Sequence, residues 1–213
     1  MSSKMTELLF IVDRSGSMQS MSAETIGGYN SVLEENKKLG EDAEVTCVLF
    51  DHEILKLCDH EPIGGVEGLT EKTYVPRGMT ALLDAVGSSV SEERARQKAM
   101  PKKERPAHTV VTIITDGHEN ASKEWDYAKV RKLLDKVQKK GWTVAFLGAN
   151  IDVAAEAESL GIAPGMYAAY HADAKGAGAV YASVARMSTS VRETGKVDAS
   201  WADEVNEDYN SRG

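Results

Sequence analysis

Three stretches of this chain, ELLFIVD (7–13), TVVTIITD (109–116) and WTVAFLGA (142–149), are almost continuously apolar or β-branched. None shows the alternation of charged and apolar residues that marks a strand with one wet face. Strands of this kind belong inside a parallel sheet covered by helices on both sides. AEVTCVLFD (43–51) and EILKLCDH (53–60) sit back to back with room for only a tight turn, so they form an antiparallel hairpin. A turn of His52 and Glu53 alone puts Phe50 opposite Leu55 and Cys47 opposite Cys58, predicting neighbouring free thiols. GMYAAYH (165–171) is a weaker sixth strand.

Helical spacing of apolar residues fills the gaps at 22–39, 80–98, 124–139, 151–160 and 174–192. Alternating strands and helices imply an α/β fold with right-handed crossovers; the strands at 7–13 and 109–116 are expected to lie adjacent at its centre. The 213 residues suffice for one domain, and 42% hydrophobic content suffices for its core. Residues 5–195 are expected to be that domain. Residues 196–213 hold five acids and one Arg, and read as a flexible acidic tail that Trp201 could dock.

The net charge of −8 argues against a nucleic-acid partner, which needs clustered Lys and Arg. The basic residues at 94–106 read as a solvated helix end and loop. No apolar run is long enough for a membrane span or a signal peptide, so a cytoplasmic location with no membrane partner is expected. The two cysteines make neither a metal spacing nor a disulfide framework.

Two of the buried strands end in aspartate, Asp13 and Asp116. In an open parallel sheet, ligands bind at the carboxyl ends of strands. Two carboxylates placed there repel each other unless something positive lies between them, and a divalent cation is the economical answer. After Asp13, DRSGS puts hydroxyls at Ser15 and Ser17, with Gly16 permitting a bend. Taken alone, this hook reads equally as a strand end followed by turn and cap residues. Asp13, Ser15, Ser17 and Glu24 mimic calcium-loop positions, but the turn glycine is missing and a strand precedes. No nucleophile elbow, zinc-protease motif or Walker loop is present.

Asp-x-Ser-x-Ser after the first strand, Thr80 in VPRGMTALLDAV and Asp116 in IITDGHEN together resemble the von Willebrand factor type A (vWA) domain with its metal-ion-dependent adhesion site. The resemblance spans roughly residues 5–195. By itself Thr80 reads as a helix N-cap; the family pattern makes it a ligand. Where the family often has two glycines before this Thr, Gly78 is followed here by Met79. The resemblance implies a Rossmann-like three-layer sandwich: a mostly parallel six-stranded sheet, one antiparallel edge strand, helices on both faces. It also implies that Ser15, Ser17 and Thr80 contact the metal directly and that Asp13 and Asp116 act largely through water. Neutral hydroxyls leave most of the ion's charge uncompensated, and Mg²⁺ (or Mn²⁺) keeps water positions that a partner's Asp or Glu can take. The expected function is metal-dependent protein interaction and not catalysis. The alternative is a Mg²⁺-dependent hydrolase or phosphoryl-transfer enzyme using the same site.

Overall fold

The computed structural model describes residues 4–212. Six strands form one sheet: β1 (Thr6–Asp13), β2 (Ala43–Phe50), β3 (Ile54–Pro62), β4 (His108–Thr115), β5 (Thr143–Gly148) and β6 (Tyr167–Ala169). Their spatial order is β3-β2-β1-β4-β5-β6. Every neighbouring pair is parallel except β2 with β3. The sheet is therefore mostly parallel with one antiparallel edge, as the apolar runs require.

All eight residues of β1 are buried because both its faces are covered. Leu8, Phe10 and Val12 point to one core layer, under α1 (Ser22–Lys37) and α5 (Ala174–Thr194). Leu9 and Ile11 point to the other, under α2 (Leu82–Ala99), α3 (Tyr127–Gln138) and α4 (Val153–Leu160). Chain direction around the sheet reverses between β1 and β4. Their carboxyl ends are thus the topological switch point where α/β sheets hold ligands.

The hairpin departs from the two-residue turn. Asp51, His52 and Glu53 all lie in the turn, and Phe50 pairs with Ile54, one place off the expected register. The buried Asp51 accounts for this: its Oδ1 accepts from Glu53 N at 2.6 Å while Asp51 N donates to Glu53 O at 3.0 Å, drawing Asp51 into a three-residue turn. Irregularities in β3 then restore the alignment, so that Cys47 faces Cys58 after all. Both cysteines are free, and burial pushes the Cys47 thiol up to about 12 and the Cys58 thiol up to about 11. A second irregularity falls at His60, which adopts a left-handed φ of 53°.

The acidic stretch at the C-terminal end carries α6 (Asp203–Ser211), which packs on α5. Trp201 is buried and its indole Nε1 donates to Gly165 O at 2.9 Å, while Val205 inserts into the α1–α5 layer. Of its acids, Asp208 meets Lys175 at 2.7 Å and also pairs with Arg212, and Glu204 lies 3.8 Å from Arg186. No helix among the described residues is long and apolar enough to cross a membrane.

Candidate metal centre at the carboxyl ends of β1 and β4

Asp13 ends β1, and the chain then turns through Arg14 and Ser15 into a 3₁₀ helix over Gly16–Met21. Ser15 is the residue before that helix, in extended conformation, and its N–H donates to Asp13 Oδ1 at 2.6 Å. This short Asx-type contact folds the hook back over the strand end. Ser15 Oγ lies 3.1 Å from Ser17 Oγ, and Ser17 Oγ donates to Asp116 Oδ1 at 2.6 Å. The oxygens of the first segment and of the residue after β4 therefore converge, as the sequence predicted.

Thr80 arrives on a separate loop, two residues before α2. Gly16 N donates to Gly78 O at 3.2 Å, tying that loop to the hook. Gly78 has a φ of 69°, and a β-carbon there would collide with the His52 ring, so only glycine fits. Thr80 does not cap α2 with its side chain. Its N–H donates to Asn120 Oδ1 at 2.9 Å, and its carbonyl accepts from Asn120 N and Ala121 N at 3.0 and 3.2 Å. Its hydroxyl is thus left to the site. A β-carbon on Gly117 would stand 3.5 Å from Thr80 Oγ1 and 3.7 Å from Ser17 Oγ, so the glycine of Asp-Gly keeps open the space these hydroxyls border. Asp13, Ser15, Thr80 and Asp116 are buried, while Ser17 is exposed and forms the mouth. Met79, 56% exposed, stands on the rim.

Several supporting residues carried no sequence signal. Thr115 Oγ1 donates to Asp13 Oδ2 at 2.6 Å, and Tyr74 OH donates to Asp13 O at 2.7 Å. Both lie far from Asp13 in sequence, and neither motif nor spacing marks them. Arg14, next to Asp13, is turned away: its Nε lies 3.2 Å from the buried Asp51, which Arg77 also meets at 3.0 Å. Glu119 is not a free rim group. It accepts from Leu83 N, Ala121 N and Ser122 N, each at 2.8 Å, and so closes the start of α2. His118 is exposed.

The electrostatics are lopsided. Burial pushes the Asp13 carboxyl up to about 6, against the hydrogen bonds from Thr115 and Ser15, and Asp116 adds to the rise. Burial also raises Asp116, against the bond from Ser17. Among the described residues no Lys, Arg or His pairs with either carboxylate. The donor set consists of oxygens alone, two carboxylates and three hydroxyls. That is the chemistry of a hard divalent cation, with no soft ligand to favour a thiophilic one.

No family model matches the chain, and no curated protein does. Solved structures match across most of it. The manganese-loaded TRAP protein of Plasmodium vivax is 19% identical over 84% of this chain and 73% of its own, with a TM-score of 0.57. Proximal thread matrix protein 1 of the mussel byssus, with a zinc-occupied adhesion-site motif, is 16% identical over 85% of this chain, with a TM-score of 0.59. The chain spans 45% of that mussel protein's length. The vWF domain of the pilus tip protein Mfa5 of Porphyromonas gingivalis is 11% identical over 91% of this chain and 98% of its own, with a TM-score of 0.63. The chain therefore has the vWA fold, a Rossmann-like α/β sandwich.

Proposed function

We propose that this domain is a divalent-metal-dependent protein-interaction module whose metal is held by Asp13, Ser15, Ser17, Thr80 and Asp116. The observation that carries the reading is a pair of buried carboxylates at the sheet's switch point, linked through neutral hydroxyls and met by no cation among the described residues. The manganese and zinc in two structures of the same fold support a divalent ion at this place. We favour Mg²⁺, with Mn²⁺ as a substitute, because the donors are all hard oxygens. When bound, the ion supplies a positive centre with exchangeable positions that a carboxylate of a partner protein can enter.

The chain's own residues do the rest. Thr115 and Ser15 N hold Asp13 in one orientation, Ser17 orients Asp116, and Asn120 fixes the backbone of Thr80. Met79 gives the rim an apolar contact beside the acidic side chain. The chain's charge of −8 repels an acidic partner at long range, so recognition depends on the local centre and short screening lengths. Two opposed cysteines that remain thiols fit a reducing, cytoplasmic setting.

The test is capture of a Glu-containing binding protein, selected from a peptide-display library on the Mg²⁺-loaded domain. Its binding should vanish with EDTA, with Thr80→Ala, and with replacement of its Glu by Gln. Binding that survives chelation would refute the reading. Turnover of phosphoesters above the Mg²⁺ background, lost in both Asp13→Ala and Asp116→Ala, would establish the hydrolase instead.

A further inference from the structure

At the opposite end of the sheet, the end of α2, the loop before β4 with Thr109 of that strand, and the turn between α3 and β5 enclose a pocket of about 230 Å³. Arg94, Lys98, Arg105 and Lys140 line it beside Thr109 and Trp142, and no Asp or Glu does. This is unexpected in a chain with 33 acids and 25 Lys and Arg. Helix α2 sorts its charges. Glu92 turns to Lys56 at 3.1 Å, while Glu93 meets Arg96 at 2.8 Å and accepts from Gln97, which lines the pocket, at 2.5 Å.

Compensation of helix ends accounts for one of the four cations. Arg105 donates to Met100 O at 3.1 Å and to Lys98 O at 3.0 Å, closing the end of α2. Arg94, Lys98 and Lys140 have no side-chain hydrogen bond or ion pair to the protein among the described residues. The Nε of Arg94 is buried without an acceptor, a costly state for a charged donor unless something else occupies the site. Two helix C-termini facing the pocket contribute roughly half a negative charge each, far less than four full cations.

We propose that this pocket binds a small, multiply charged phosphate-class anion. Guanidinium groups match phosphate oxygens with paired donors, and Lys98 and Lys140 add point charges at the mouth. The volume falls below the roughly 300–1,000 Å³ of sites for larger ligands, so a compact anion fits and a nucleic-acid strand does not. The site is remote from Asp13 and Asp116 and stands independently of the metal reading.

Calorimetric titration of the full chain with pyrophosphate and with inorganic phosphate tests it. Low salt is used, with EDTA present so that no divalent ion contributes. Saturable binding of one pyrophosphate per chain is expected, with inorganic phosphate weaker. Lys98→Gln and Lys140→Gln, both on exposed residues, should each weaken it at least tenfold, and so should Arg94→Gln if its melting curve shows it folded. Lys132→Gln, on the exposed side of α3, should leave it unchanged. No saturable binding, or equal binding in Lys98→Gln, Lys140→Gln and wild type, would overturn the proposal.

Discussion

Strand β1 carries a fully buried carboxylate near each end, Glu7 and Asp13, both 0% exposed. Glu7 is surrounded by groups that neutralise it. Arg96 lies 2.9 Å away, His60 Nδ1 3.1 Å away, and Thr46 donates at 2.8 Å. Among the described residues Asp13 receives only neutral donors, Thr115 Oγ1 and Ser15 N, and the Asp116 carboxylate lies near it. A buried charge is tolerated when it is paired and hydrogen-bonded. Glu7 meets that condition from within the protein, so it is a structural lock between β1, β3 and α2. Asp13 does not, so its missing counter-charge has to come from outside. The difference separates a stability site from a binding site on one strand.

The comparison breaks most sharply under substitution. Asp13→Ala should abolish Mg²⁺ binding by calorimetry while changing the stability of the metal-free protein by less than about 1 kcal/mol, because lost hydrogen bonds are offset by relief of an unpaired buried charge. Unchanged Mg²⁺ affinity in this variant would refute the metal centre. Glu7→Gln should do the reverse. It should lower stability in urea melts by about 3 kcal/mol, near the bottom of the range for breaking a buried pair, since Arg96 keeps Glu93. Its Mg²⁺ affinity should match wild type.

A smaller effect is expected from Thr115→Val, which removes the hydroxyl that orients Asp13 but keeps the shape of β4. Mg²⁺ affinity should fall roughly tenfold, as for other partners that orient ligands from behind. A fall as large as that of Asp13→Ala would make Thr115 part of the ion's own surroundings.

The smallest effect is the pH response of the Glu7 lock. Burial pulls His60 down, but the hydrogen bond and charge of Glu7 outweigh it and its pKa ends above 6.5. Burial also holds Glu7 above 4.5, against its bond from His60. A raised folded-state pKa contributes stability that is full below the unfolded value and lost as pH rises through the folded one. The melting-temperature gap between wild type and His60→Gln should therefore shrink on going from pH 6 to pH 9. A gap that widens would show that His60 is neutral in the fold.

Much of this architecture is legible in the chain because burial on both faces leaves a direct trace. The runs at 7–13, 109–116 and 142–149 have no wet face, and their order with intervening helices fixes a parallel sheet. The terminal aspartates are legible because two apolar runs stop at them, but the DRSGS hook by itself reads equally as turn and cap residues and is marked as a site only by its resemblance to the vWA pattern. The hairpin was only half legible. Its existence follows from two adjacent strands, but its turn depends on the buried Asp51 and on irregularities in β3. The expected register was wrong by one residue at the turn, yet right at the cysteines.

Sequence alone determined the α/β class, the strand ends at Asp13 and Asp116, and the hydroxyls that follow Asp13. These are properties of local periodicity and of where strands stop. Tertiary structure decided which charges are matched. Arg14 neighbours Asp13 in the chain but turns to Asp51, and Arg96 crosses from α2 to reach Glu7. The basic residues at 94–106, which read as a solvated helix end, meet Lys140 from the turn after α3 around one pocket. Pairing of charges is set by distances across packed elements. A one-dimensional pattern holds no record of those distances.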